Sequence, residues 1–308
     1  MAIKAAQVKQ LRELTGAGMM DCKAALEANS GNIETSIDWL KTRGLAKAAK
    51  KAGRIAAEGL IGVAAADRSG AVVEVNSETD FVARTGEFQE LVRAIAKLAL
   101  QHGKDAGTLG AAAYPGTGRT VAAEITEAVA KIGENMTLRR AARVTVDAGV
   151  VGSYVHAAAS DGLGKIGVLV GLKTTGNAAA IAGLARQIAM HIAAASPLAV
   201  TPDGLDQDLL ARERAVFAEQ AKASGKPAEI VEKMVEGRLR KFYEDVCLLS
   251  QIFVIDGETR IEAVLKGAEK VAGAPVAITE FVRFAIGEGI EKQETDFAAE
   301  VAATARTA

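Results

Sequence analysis

The chain is predicted to be α+β: three short helices first, then a core of two similar halves mixing strands with helices, an antiparallel helical arm inserted in the second half, and a short helical C-terminal module. Three observations predict it. Apolar residues up to position 45 recur at helical steps, and from Gly59 the pattern changes to short β-branched runs. One offset of 96 positions relates Val72 to Val168, Phe88 to Leu184 and Val92 to Ile188. An offset that aligns a strand and the helix after it argues for an internal repeat. The expected units are 1–54, helices plus a basic linker; 55–147, the first half; 148–286, the second half, with the arm at about 203–248; and 287–308, the C-terminal module.

In the first unit Val8, Leu11 and Leu14 share a helix that Thr15-Gly16-Ala17-Gly18 breaks. Met19, Cys22 and Leu26 mark the second helix, closed by Asn29-Ser30-Gly31. Asn32 caps a third bearing Ile33, Ile37 and Leu40, and Gly44 is expected to end it. Residues 41–54 then carry Lys41, Arg43, Lys47, Lys50, Lys51 and Arg54 and no acid. They fit a solvated linker helix, or a patch for an acidic surface or nucleic acid; the lack of interleaved aromatics weakens the nucleic-acid version.

Gly59–Ala66 and Ala71–Asn76 read as strands around the turn Asp67-Arg68-Ser69-Gly70, and Phe88, Leu91, Val92, Ile95 and Leu98 stripe the helix that follows. Residues 106–118, with several glycines and Pro115, read as a loop. Val121, Ile125, Val129 and Ile132 form a helix ended by Gly133, and a strand over Met136–Val144 closes the half. The second half repeats the order with strands Gly149–Ala157 and Lys165–Leu172 and a helix over Ile181, Leu184, Ile188 and Ile192, stopped at Pro197. Leu209 and Val216, then Val231, Val235, Leu239, Phe242 and Val246, stripe the two sides of the arm. Its role is either structural or in dimerisation or partner contact. Strand-like Gln251–Ile255, a helix over Ile261–Val271, strand-like Val276–Ile286 and an amphipathic tail with Phe297 and Val301 complete the chain.

A length of 308 residues allows two or three cores, and 49% hydrophobic with 24% charged residues is an ordinary globular composition. A net charge of −1 gives no electrostatic case for nucleic acid or a membrane surface. Cys22 and Cys247 fit reduced thiols of a cytoplasmic protein. The N-terminus lacks the apolar region of a secretion signal, and no segment reaches the length of a membrane span. His102, His156 and His191 lie near no Cys or carboxylate at metal-ligand spacing. Pro115-Gly116-Thr117-Gly118-Arg119-Thr120 lacks the first Gly and the Lys of a P-loop. No nucleophile, base and oxyanion site assembles, so the expectation is a protein that is not an enzyme and takes no cofactor or metal.

Ser77-Glu78-Thr79-Asp80-Phe81-Val82 joins a strand to a helix, and the matching stretch Lys173-Thr174-Thr175-Gly176-Asn177 has no aromatic residue. Phe81 either folds back to staple the following helix or projects as a wedge, with about 1.5–3 kcal/mol available from burying its ring in a partner. The near copy Thr295-Asp296-Phe297 puts its Phe on a helical stripe, where packing accounts for it.

Leu11-Arg12-Glu13-Leu14-Thr15-Gly16-Ala17-Gly18-Met19-Met20-Asp21-Cys22-Lys23, Glu74-Val75-Asn76 with Thr79-Asp80-Phe81-Val82-Ala83, Lys131-Ile132-Gly133-Glu134-Asn135 and Lys233-Met234-Val235-Glu236-Gly237-Arg238 resemble the elongation factor Ts family over essentially the whole chain. The resemblance implies a UBA-like three-helix domain, a core of two α+β subdomains, a coiled-coil arm and a short C-terminal module. It also implies guanine nucleotide exchange on elongation factor Tu. Thr79, Asp80, Phe81 and Val82 would disturb the partner's magnesium site, with Phe81 wedged between partner helices. Leu11, Met19, Met20 and His156 would dock on the partner. No direct contact with nucleic acid or membrane is implied, and the arm could join two copies or a 2:2 complex.

Overall fold

Leu11, Cys22, Ala25 and Leu26 form a buried cluster because helical spacing brings them to one side of their segments. The computed structural model, which describes residues 3–103, 105–223 and 225–291, carries them on α1 (Ala5–Thr15) and α2 (Met19–Ala28), closed by α3 (Ile33–Lys51). Gly16, at φ 67°, ends α1 in left-handed backbone. The Asn32 side chain caps α3 by accepting from the Thr35 N–H at 3.1 Å.

Gly44 does not end α3, contrary to the sequence reading. A Cβ there would stand 2.9 Å from the Cβ of Ala130, so the missing side chain serves close helix packing rather than termination. Much of the basic run therefore lies on α3. Lys47 pairs with Asp21 at 2.7 Å, and Lys51 donates to the Gly133 carbonyl.

The first half runs β1 (Glu58–Ala66), β2 (Ser69–Ser77), α4 (Asp80–Ala83), α5 (Gly86–His102), α6 (Ala106–Ala111), α7 (Val121–Ile132) and β3 (Met136–Thr145). The second runs β4 (Gly149–His156), β5 (Leu163–Gly164), β6 (Ile166–Lys173), α8 (Ala178–Ala195), α9 (Gln207–Lys222), α10 (Ala228–Val246), α11 (Ile261–Ala272) and β7 (Ala277–Ala285). The strand orders are β3-β2-β1-β5 and β4-β6-β7, so each half places its second long strand centrally between the first and third. Val72 and Val168 are buried on those central strands, and Gly133 and Gly273 end α7 and α11 in the same left-handed conformation. The 96-residue offset thus relates corresponding elements but not equivalent positions: Val72 lies between the sheets, whereas Val168 packs on the helices of its own half.

Strand alternation divides the side chains between layers. Leu60, Val73 and Val75 face α5 and its neighbours, while Ile61 and Val72 meet Val151 and Leu169 between the sheets. Gly167 permits this approach, because a Cβ there would come 2.5 Å from Ile61. The outer face of the second sheet packs on α8 and α11 through Val168, Ile181, Ile188 and Leu265. In the arm, Phe217, Val231, Val235 and Leu239 join α9 to α10.

Two other readings are corrected. Residues 106–111 form α6 because the Asp105 carboxylate accepts the Thr108 N–H at 2.8 Å. Gln251–Ile255 is not a strand: only Ile252 bridges, to Arg260, because Gln251 is turned inward to His191. The tail helix with Phe297 and Val301 lies outside the described residues.

His191 is buried on α8, with Nε2 2.9 Å from Gln251 Oε1 and the Val254 N–H donating to Nδ1 at 3.3 Å. The acceptor role of Nδ1 makes the neutral ring an Nε2–H donor. Desolvation lowers its pKa, partly opposed by the Gln251 hydrogen bond. The unfolded chain then binds a proton near the ordinary value of 6.5 that the folded chain refuses. Stability contributed by neutral His191 is full above that value and falls as pH drops toward the lowered folded pKa. Between about pH 7 and pH 5.5 the chain is expected to lose more melting temperature than a His191→Gln variant, measured by calorimetry; equal losses would contradict this.

Candidate partner-contact site

The segment expected to be a loop at Thr79–Val82 is a single helical turn. Thr79 is extended at φ −122° and ψ 158°, and α4 begins at Asp80. Val82 and Ala83 are buried beneath the turn. Helical geometry then sends Phe81 outward, where it is 74% exposed. It does not staple α5. Thr85 caps that helix through the Phe88 N–H, and Phe88 fills the core position.

The turn is held from outside itself. Glu134 accepts the Thr79 N–H at 3.0 Å on Oε2 and the Thr79 hydroxyl at 2.8 Å on Oε1. The Ser77 hydroxyl donates to the Thr79 carbonyl at 2.8 Å. In return, the Glu78 carboxylate accepts the Asn135 N–H at 2.5 Å and the Arg54 guanidinium at 3.4 Å. Asp80 meets Arg84 at 2.5 Å, but both side chains are well exposed, so the pair is a weak surface bridge that can be exchanged for another partner.

The expected residues divide on burial. Thr79, Asp80, Phe81 and Val82 share one turn, yet Val82 is core and Thr79 is committed to Glu134. The Val82 side chain, expected to act with the others on the partner's magnesium site, is corrected to an anchor beneath the turn. Leu11 is likewise corrected: it is fully buried in the bundle and has no surface to dock. Met19 and Met20 are 59% and 75% exposed at the start of α2, beside exposed Leu14. His156 is exposed at the end of β4, its Nδ1 3.2 Å from the Tyr154 hydroxyl.

Glu78, Glu134, Asn135 and Arg54 also belong to the site, although in the sequence Glu134 and Asn135 stand only within the family-like run Lys131–Asn135. Their signal was faint: polar residues following the helix-ending Gly133, and the last base of a basic run. Among the described residues, no group of three His, Cys, Asp or Glu side chains could hold a metal ion, and no helix is long and apolar enough to cross a membrane.

A family model described as "Elongation factor TS" matches residues 78–288. The elongation factor Ts of Bartonella henselae is 58% identical over 306 residues, covering 99% of this chain and all of that protein. That of Mesorhizobium japonicum is also 58% identical over 306 residues, with the same coverage. That of Rhodospirillum centenum is 60% identical over 303 residues, covering 98% of this chain and 99% of its own.

Proposed function

Because the chain belongs to the elongation factor Ts family of translation elongation factors, we propose that it is a guanine nucleotide exchange factor for elongation factor Tu that disturbs the partner's magnesium site through Asp80 and Phe81. The observation that carries this reading is an exposed Phe on a turn whose neighbours are buried or bonded.

Met19 and Met20 present flexible apolar side chains that dock on the partner's nucleotide-binding domain, and His156 adds a polar contact. Phe81 enters an apolar crevice between partner helices, and ring burial favours the distorted form. Asp80, released from its surface bridge with Arg84, places a carboxylate where it competes for the cation's surroundings. Magnesium tolerates little departure from octahedral geometry, so a small displacement of its ligands weakens the bridge to the nucleotide phosphates. No covalent bond is made or broken. Linkage completes the cycle: a factor that weakens nucleotide binding is itself weakened by nucleotide to the same degree, so entering GTP expels it.

The test is release of fluorescent GDP from purified elongation factor Tu, followed after mixing with the chain. Release is expected to accelerate with factor concentration and to be opposed by added free magnesium. A chain that bound the partner while leaving GDP release unchanged would be an adaptor, and the exchange reading would fail.

A further inference from the structure

A wedge can deform its target only if the backbone beneath it yields less than the target does. α4 has four residues, too few to be stable alone. Its N-cap residue, Thr79, makes no capping bond to the turn. Its hydroxyl and N–H instead donate to the two oxygens of one carboxylate, that of Glu134. Such charge-assisted pairs are the stronger class of hydrogen bond and fix direction as well as distance.

Glu134 follows Gly133, the left-handed cap of α7, and precedes buried Asn135, whose N–H donates to Glu78 next to Thr79. The two carboxylates thus clasp the chain in opposite directions, Glu134 onto residue 79 and Glu78 onto residue 135. The Arg54 carbonyl accepts from the Asn135 amide at 2.7 Å and the Arg54 guanidinium reaches Glu78, so the end of the helical bundle also bears on this junction.

We infer that Glu134 is a positioning residue for exchange: its carboxylate locks Thr79 and so holds Phe81 in the outward pose. This rests on the proposed wedge role of Phe81. Glu134 acts through Thr79 and needs no contact with the partner. Its removal lowers how well a docked factor deforms the partner more than how tightly it docks, because Met19 and Met20 are on another element.

The experiment is stopped-flow release of fluorescent GDP from elongation factor Tu over a range of factor concentrations. It compares Glu134→Gln, Thr79→Val, Thr79→Ser, Phe81→Ala and the Glu134→Gln/Phe81→Ala double variant. Glu134→Gln keeps the side chain's shape but removes the negative charge and, with its oxygen on the Thr79 N–H, sets an amide NH2 against the Thr79 hydroxyl in place of an acceptor. The saturating rate is expected to fall about tenfold, the scale of one lost charge-assisted bond, with the half-saturating concentration little changed. Thr79→Val should fall similarly and Thr79→Ser should retain the wild-type rate. The double variant should be no slower than Phe81→Ala, since a displaced turn without its ring has nothing left to lose. Should Glu134→Gln melt early, Thr79→Val carries the same test. A wild-type saturating rate in both Glu134→Gln and Thr79→Val beside a slow Phe81→Ala overturns the positioning role and leaves the wedge standing. Additive slowing in the double variant does the same. A wild-type rate in Phe81→Ala overturns both.

Discussion

Replacing Phe81 by Ala is expected to slow factor-stimulated GDP release about ten- to a hundredfold while leaving the melting temperature of the chain unchanged. The rate effect follows from the ring: about 1.5–3 kcal/mol of apolar burial in the partner is lost, and each 1.4 kcal/mol or so is a factor of ten in rate. The stability effect follows from exposure. A side chain with 74% of its surface in solvent contributes little to its own fold. Phe88 provides the internal contrast. It is fully buried against the first sheet, and Phe88→Ala should destabilise by about 3–5 kcal/mol. Two phenylalanines on adjacent helices thus have opposite expected outcomes. A Phe81→Ala variant that melted several degrees early would mean that the ring packs against its own chain. One with a wild-type release rate would remove the wedge.

The second large effect is expected at Glu74. Alternation on β2 sends this carboxylate toward the space between the sheets, where it is completely buried. Arg139 donates to it at 3.0 Å, Arg140 at 2.5 Å and the Asn76 amide at 3.1 Å, and the Gly287 N–H adds a further bond at 2.9 Å. Arg139 also donates to the Glu288 carbonyl and Arg140 to the Ala285 carbonyl, while the Arg140 guanidinium lies 4.3 Å over the Phe284 ring. One acid thereby ties β2 and β3 of the first sheet to the end of β7 in the second. Glu74→Ala should destabilise by about 3 kcal/mol, the low end for removing one partner of a buried pair, because both guanidiniums keep over a quarter of their surface and can rehydrate. In thermal unfolding that is a fall of roughly 6–12 °C, largely insensitive to salt. Glu219→Ala, which breaks an exposed helical pair with Lys222, should change nothing measurable. A Glu74→Ala chain that melted with the wild type would show that the sheets are held by apolar packing alone.

Most of the long elements were legible because one-dimensional periodicity reports a buried face. Phe88, Leu91, Val92 and Ile95 marked α5, and the matching stripe of Ile181, Ile188 and Ile192 marked α8. Gly44 misled because glycine has two meanings, helix end and close approach, and only the position of Ala130 selects between them. Gln251–Ile255 misled because an apolar run does not declare that its first residue is needed by a histidine sixty positions earlier.

The sequence by itself determined the mixed helix-and-strand class, the recurrence of strand and helix in two halves and the anomaly of an aromatic at position 81, since each is a property of spacing. Only the tertiary structure decided which apolar residues of the candidate site face solvent. Leu11 and Val82 read as equals of Met20 and Phe81, but the first two are core and the others are surface. Exposure depends on what packs over a residue, and here that is set by chain far away: α2 and α3 over Leu11, and the first core over Val82 and Ala83, which leaves Phe81 on the outer side of its turn.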